Sequence, residues 1–369
     1  MTVIIFLILS ILSFYKKNSK LVFIMILAFI WLIFTFCYGI PDYSAYMDRY
    51  NNIELWSAST EILYRILIVI CNKAGLSFVG FRGITAMLII ILIGSTILKL
   101  SSYPNIVALL FFICPYPMYV VQIRSALAVA VFIFGCRYLI CEDDKHKSYL
   151  GLNMNDLKYI IVVLIGTCIH TQSLGWLVLL MAKKFSLRKT VIFTIFFNIF
   201  IMFIITPQNL AKIFNIFGAG NRINAYLSEA YAVSSFRKYG PILYIIFTAF
   251  ITICACLYIL CRKKRFLNIN DIKLDLKINI VLLCIISLFI RYTSEVYRIQ
   301  EGVTLLNYIL LTNTLKKHNF TYKRISKSNL EILSIVVVYC IGYLFLSTLH
   351  YLSQEVWIPF WFNNYVLHF

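Results

Sequence analysis

The sequence predicts an all-α, polytopic integral membrane protein, and three observations lead there. Of the 369 residues, 61% are hydrophobic and only 13% charged, with a mean hydropathy of +0.85; soluble domains are about half apolar and about a quarter charged. Apolar runs close to the ~20 residues that a membrane-crossing helix needs recur from one end of the chain to the other. The other membrane architecture, a barrel, needs alternating strands of about ten residues, and no segment shows that pattern. The expectation is about 10–12 spans in a single membrane domain over residues 1–369.

Charge orients these spans. Lys and Arg accumulate in cytoplasmic loops. The basic stretches are YKKNSK (15–20), RYLICEDDKHK (137–147), KKFSLRK (183–189), CRKKRF (261–266) and KKHNFTYKR (316–324). Placed inside, they account for the net charge of +19 without a nucleic-acid partner. The spans then fall near 2–15, 21–40, 83–99, 105–121, 124–141, 190–206, 241–261, 278–290, 302–315 and 330–351. The first run precedes its basic residues, Lys16, Lys17 and Lys20, which is the wrong polarity for a cleaved signal. A longer periplasmic loop lies near 207–240.

Two segments need separate treatment. The run 159–182 is too short for two spans, and its middle, GTCIHTQSLG, is polar. A broken or re-entrant pair of short helices fits, because non-helical backbone at membrane depth must line a protein cavity. The stretch 61–74, EILYRILIVICNKA, carries Glu61, Arg65 and Lys73 and reads as an interfacial helix on the outer face, with a plain membrane span as the alternative. Most of the 11 cysteines lie inside apolar runs. They show no zinc or redox spacing and read as small buried hydrophobes, so no metal and no cofactor is expected.

The outer segments are biased in residue type. They hold the lysines Lys73, Lys212 and Lys238 against the arginines Arg49, Arg65, Arg82, Arg124, Arg222, Arg237, Arg291 and Arg298. The orientation rule counts the two residues alike, so this bias is independent of it. Arginine is the side chain for bidentate recognition of phosphate or carboxylate. The bland alternative is pairing with outer acids such as Asp42, Asp48, Glu54, Glu61, Glu229, Glu295, Glu301 and Glu355.

Four clusters stand out. Arg124 opens the run VVQIRSALAVAVF (120–132), where a charge costs about 2.5–3.5 kcal/mol on insertion scales unless it faces a polar cavity or an anion. The small residues after it let neighbouring helices pack closely. His170 sits at the polar break, beside Thr167, Thr171, Gln172 and Ser173, and is a candidate general base. YGIPDYSAYMDRY (38–50) brings Asp42, a rival base, together with Tyr43 and Tyr46; the tyrosines form either an aromatic belt or a stacking platform for sugar rings. NRINAYLSE (221–229) and RYTSEVYRIQEG (291–302) repeat arginine near tyrosine and glutamate, with Arg222, Tyr226, Arg291, Glu295 and Arg298. The last three share a helix face if that stretch is helical.

No phosphate-binding loop, dinucleotide fingerprint or H-E-x-x-H is present. A substrate that carries its own energy suits this chemistry. The order D-Y-x-x-Y (Asp42–Tyr46), E-x-x-Y (Glu61–Tyr64), Q-I-R-x-x-L-A (Gln122–Ala128), I-H-x-x-x-L (Ile169–Leu174), R-I-x-x-Y-L (Arg222–Leu227) and Y-R-I (Tyr297–Ile299) resembles the EpsG-like family of bacterial polysaccharide polymerases, the Wzy-type O-antigen polymerases. The resemblance covers roughly residues 30–300. The family's histidine element carries serine two residues on, where this chain has Gln172, with Ser173 next.

The resemblance implies a glycosyltransferase of the bacterial inner membrane with a periplasmic active face. It would transfer a growing glycan from undecaprenyl diphosphate to the next lipid-linked repeat unit. Arg124, Arg298, Arg222 and Arg291 would hold diphosphate, and His170 or Asp42 would serve the acceptor hydroxyl. Tyr43, Tyr46, Glu61, Tyr226 and Glu295 would meet sugar. A chain-length regulator and a flippase are the implied partners. The rival class is a lipid-linked oligosaccharide flippase or other polytopic transporter; a membrane acyltransferase is a third, disfavoured because no histidine precedes His146.

The orientation is testable. Asn215→Cys in a cysteine-free background is expected to react with a membrane-impermeant maleimide added to intact spheroplasts; protection from it would move the 207–240 loop to the cytoplasm.

Overall fold

A computed structural model of the full chain describes residues 1–16, 18–56, 61–140, 152–203, 235–262, 268–284, 297–314 and 353–367, with a few isolated positions between them. Among the described residues every extended element is helical, and the only bridge joins Cys37 to Asn364. In chain order the helices are α1 (Thr2–Tyr15), α2 (Lys20–Phe36), α3 (Tyr43–Asn51), α4 (Ile62–Lys73), α5 (Phe78–Leu100), α6 (Pro104–Ile113), α7 (Tyr116–Val121), α8 (Ile123–Ile140), α9 (Met154–Ile169), α10 (Leu179–Lys184), α11 (Leu187–Phe203), α12 (Ser235–Cys261), α13 (Ile269–Leu282), α14 (Tyr297–Thr312) and α15 (Ile358–Phe362).

Local chemistry sets the helix starts. The Ser77 hydroxyl accepts from Gly80 N–H at 3.2 Å before α5. Asn153 and Asp156 close a reciprocal capping box at α9, which satisfies two of the N–H groups a helix start leaves open. Pro104 opens α6, where its missing N–H is no loss.

The surface is that of a membrane protein. α1 exposes Ile4, Leu7, Ile8 and Ile11; α5 exposes Ile84, Met87, Leu88 and Ile91; α9 exposes Leu157, Ile161, Leu164 and Ile165; α11 exposes Ile192, Ile195, Phe196 and Ile199. These stripes recur at three- and four-residue spacing and point outward, while Thr85, Thr96, Asn105 and Ser125 are buried. Water would penalise such patches, whereas lipid solvates them. α5 and α8 are long and apolar enough to cross a membrane alone, and α1, α2 and α6 are shorter apolar helices.

Packing gathers the chain into two compact units: residues 1–174, 304–313 and 351–369 form one, and residues 175–303 and 314–350 the other. One membrane domain over 1–369 is the sequence expectation.

In the first unit, α8 is the packed centre. Ser125, Ala126, Ala128, Ala130, Gly135 and Cys136 are buried along it, and such small side chains let neighbouring backbones approach. α9 runs antiparallel to it. A Cβ on Gly135 would meet Val162 Cγ1 at 2.9 Å, and one on Gly166 would lie 3.7 Å from the Ala128 carbonyl. α2 and α5 are antiparallel too: the Trp31 indole N–H donates to the Gly83 carbonyl at 2.9 Å, while Leu27 packs on Gly94. α5 and α8 run parallel, since Arg137, late in α8, donates through Nε to Thr96 Oγ1, late in α5, at 2.9 Å. The helix starts that carry Arg82 and Arg124 therefore lie at one end, and Lys99 and Arg137 at the other.

In the second unit, α11 meets α13. Thr194 Oγ1 donates to the Ile280 carbonyl and Asn198 Nδ2 to that of Leu283, both at 3.2 Å. α12 meets α13 where the Cys256 thiol contacts Asp275 Oδ2 at 3.6 Å.

Several expected spans are corrected. The run 105–121 is two helices parted at Cys114–Pro115, because prolines supply no N–H to a continuous ladder. α13 begins at Ile269 and α14 at Tyr297, well before the expected 278 and 302. Their first turns are polar, yet Asp275, Gln300 and Thr304 are buried, so hydropathy missed helix that packs through polar faces. The run 159–182 is indeed broken: α9 ends at Ile169, a 3-10 helix spans Thr171–Val178, and α10 follows. α4 has 12 residues, about 18 Å of helix against a ~30 Å hydrocarbon core. It buries Tyr64, Ile68 and Cys71 on one face, as an interfacial helix would. The expected span 330–351 and the 207–240 loop lie outside the described residues, a few single positions and the start of α12 excepted.

Gly135→Leu should drive a side chain into the rigid β-branched Val162. Overpacking of this kind costs about 1–3 kcal/mol. The expected result is a lower melting temperature in detergent by scanning fluorimetry, partly restored by adding Val162→Ala. An unchanged melting temperature would mean that α8 and α9 do not pack through this glycine.

Candidate functional site

Three side chains meet at the end of the first unit that holds the starts of α5 and α8. Glu61 Oε2 accepts from Arg124 Nη1 at 2.6 Å, and Glu61 Oε1 lies 2.7 Å from His170 Nδ1. The carboxylate is 0% exposed, against 14% for the Arg124 side chain and 8% for that of His170.

Each partner reaches this point by a local break in the helices. Arg124 is the second residue of α8, which starts at Ile123 after the break at Gln122 between α7 and α8. His170 ends α9 in an extended conformation (φ −149, ψ 119). Its N–H still closes the last helical turn on the Gly166 carbonyl at 2.8 Å, and its carbonyl accepts from Ser173 N–H at 3.0 Å. The antiparallel packing of α8 on α9 brings the start of one beside the end of the other. Glu61 stands at the start of α4 but makes no side-chain cap bond, so both of its oxygens serve the cluster.

The arrangement is electrostatically closed around the acid. A buried carboxylate is strongly unfavourable unless paired and hydrogen-bonded, and here each oxygen has its own cationic or N–H partner. With Nδ1–H donating to Glu61, the neutral imidazole carries its lone pair on Nε2. Glu61 thereby selects the tautomer that can accept a proton away from the carboxylate. Arg124 engages Glu61 through one Nη; a guanidinium has five N–H donors.

A second group adjoins the first. Tyr64, fully buried on α4, lies within electrostatic range of Tyr46, Arg124, Glu61 and Arg82. Arg82, 0% exposed on the second turn of α5, donates through Nε to the Phe34 carbonyl at 3.1 Å, and through Nη2 to the same oxygen. The ring of Phe34 lies 5.5 Å and that of Tyr43 5.2 Å from its guanidinium carbon. Burial pushes the Tyr43 phenol up from its ordinary range, with Arg82 beside it pulling the other way.

Of the residues singled out in the sequence, the structure joins Arg124, His170 and Glu61. Glu61, expected to face sugar hydroxyls, is enclosed between the other two. Asp42 is exposed in the left-handed region (φ 62) at the start of α3, and no described hydrogen bond or ion pair joins it to the cluster. Tyr43 and Tyr46 are half-buried, the first over Arg82 and the second near Tyr64. Arg298 lies in the second unit, one residue before Ile299, whose carbonyl accepts from the Trp176 indole N–H at 3.1 Å. Arg222, Tyr226, Arg291 and Glu295 fall outside the described residues. Sequence reasoning missed the particular position of Arg82, which it counted only among the outer arginines.

A buried acid that couples an arginine to a histidine, at one end of a set of lipid-facing helices, defines a polytopic membrane protein with a buried charged cluster. A family model described as the EpsG family matches residues 20–362, and the chain belongs to that family. It is thus a membrane protein of the polysaccharide-polymerase type. Searches of curated proteins and of solved structures return no match.

Glu61→Ala removes the acid from beneath Arg124. Breaking one side of a buried ion pair costs about 3–5 kcal/mol, so the variant should melt well below wild type in detergent. Glu61→Ala with Arg124→Ala should lose less than the two single changes together, because paired groups are non-additive. Additive losses would mean that the pair carries no coupling.

Proposed function

We propose that this chain is a lipid-linked glycan polymerase, a glycosyltransferase whose acid–base centre is His170 held by Glu61. The observation that supports this reading is the Glu61 carboxylate bonded at once to Arg124 and to His170 Nδ1. Membership of the EpsG family gives the general class; the particular substrate and face are the proposal.

In this reading His170 Nε2 accepts the proton of an acceptor sugar hydroxyl as that oxygen attacks C1 of the donor glycan. The C1–O bond to undecaprenyl diphosphate breaks, and the diphosphate leaves with the electron pair. Glu61 stabilises the imidazolium that forms, as a buried carboxylate does for a base histidine. Arg124, anchored by Glu61, sets its guanidinium charge beside the leaving diphosphate, where charge develops in the transition state. The bound proton then passes to the released diphosphate or to solvent. In this reading this end of the bundle faces the periplasm from the inner membrane, where lipid-linked repeat units are expected, and the sequence positions of the basic loops support it. The partners are the undecaprenyl diphosphate-linked oligosaccharide and, at one remove, a flippase and a chain-length regulator.

A flippase for lipid-linked oligosaccharide is the second reading. It is favoured by the broken helix at His170, since discontinuous helices also build transport sites. A deletion strain complemented with variants separates the two by glycan length on a gel, with protein level checked. Wild type should restore a ladder. His170→Ala, and Arg124→Lys, which keeps charge but loses the fork, should leave a single repeat unit at normal protein level, a loss of polymer of at least a hundredfold. Loss of all surface glycan in the deletion, with lipid-linked units accumulating inside, would favour the flippase. Full-length polymer from Arg124→Lys would remove that arginine from the diphosphate.

A further inference from the structure

Among the described residues Arg82 is a buried cation with no carboxylate counter-ion. It is 0% exposed, and among the described residues no carboxylate pairs with it; the ion pairs found there both belong to Glu61. Two of its donors share the one carbonyl of Phe34, near the C-terminus of α2, where a cation is favoured by the helix dipole. Its Nη1 is buried with no hydrogen-bond partner. Aromatic faces of Phe34 and Tyr43 cover the guanidinium, and such faces attract a cation without neutralising it. A charge so placed is strongly unfavourable unless an anion joins it.

The surroundings favour an anion for a second reason. Two arginines, Arg82 and Arg124, gather at one end of the unit, where Glu61 is the one buried acid among the described residues. Tyr64 sits between them, within electrostatic range of Arg82, Arg124 and Glu61. Tyr43, which closes over Arg82, is half-buried and belongs to the short helix α3 rather than to a membrane helix. It is positioned as the cover that would move when an anion enters.

We propose that Arg82 is a second phosphate-binding position at this end of the bundle, taking a diphosphate group beneath Tyr43, apart from the one assigned to Arg124. The chemistry rests on the polymerase reading: in that reaction both donor and acceptor carry a lipid diphosphate, and only the donor's leaves. A single arginine fork cannot hold both. Arg124, tied to the base-holding Glu61, serves the leaving group, and Arg82, tied to α2, retains the diphosphate that stays on the acceptor lipid.

The test uses the purified full chain in an uncharged maltoside detergent, titrated with inorganic pyrophosphate and with farnesyl diphosphate by isothermal calorimetry. Wild type should bind both saturably. Arg82→Gln should weaken binding at least tenfold at one of two sites, and Arg124→Gln should spare that site. Tighter binding of farnesyl diphosphate than of pyrophosphate assigns the position to a prenyl-linked diphosphate; equal binding assigns it to free diphosphate. If Arg82→Gln fails to accumulate, Arg82→Lys decides, since lysine keeps the charge and one bond to the Phe34 carbonyl but lacks the fork; about fivefold weaker binding is expected. Wild-type affinity in either folded variant, or no saturable binding in wild type, overturns the proposal. Binding through Arg82 in a protein that extends no glycan in cells would sink the polymerase reading and leave the phosphate position standing.

Discussion

The carboxylate of Glu61 is the constraint on which one end of the first unit turns, the end that holds the starts of α5 and α8. It is wholly enclosed, and it joins helices that are distant in sequence: α4 begins beside it, α8 supplies Arg124 and α9 ends at His170. A carboxylate in that position must be paired, and the pairs it makes dictate the geometry of everything around it. The imidazole is held by one nitrogen and directed by the other. The guanidinium is immobilised at one Nη, so the rest of its fork points in a fixed direction. Preorganised charge of this kind is where enzymes gain most of their rate, because no reorientation is needed when the transition state forms.

That enclosure depends on close helix packing. Small residues along α8 let α9 approach, and Gly135 and Gly166 mark contacts where a side chain would push the two apart. An approach one ångström looser would lengthen both bonds to Glu61 and return the carboxylate to a polar environment. The glycines therefore act on the Glu61 cluster from a distance along the helices. They do so by fixing the separation of two helix ends rather than by touching any reacting group.

Much of this was legible in the sequence, for a physical reason. Arg124 and His170 each interrupt an apolar run, and a polar side chain in lipid needs a cause; both were singled out on that ground. The helix break at His170 was legible from its polar flanks. Glu61 was visible as a motif residue, but its role was not. Its partners lie 63 and 109 residues away, and no local pattern reports a pairing of that range. The bland alternative for the outer arginines, pairing with an outer acid, is what Arg124 in fact does, while Arg82 has no such partner among the described residues. Hydropathy failed where helices bury polar faces, at the starts of α13 and α14, and where prolines divide an apolar run, between α6 and α7. In both cases composition reports the lipid-facing average, and the structure is decided by what each face meets inside the protein.

The contrast between Arg124 and Arg82 shows how one residue type serves two ends in the same bundle. Both sit in the opening turns of parallel helices, Arg82 in the second turn of α5 and Arg124 in the first of α8. Arg124 is neutralised by a carboxylate and keeps some exposure, 14%; its charge is largely balanced before any ligand arrives, and its work is geometric. Arg82 is anchored by a carbonyl and by aromatic faces, which hold its position but leave its charge in place. An anion that enters this end of the unit gains little from the balanced guanidinium by charge alone and much from the unbalanced one. In the proposed reaction the two lipid-linked substrates are therefore held by different means, the donor's diphosphate aligned by Arg124 and the acceptor's held by the charge of Arg82.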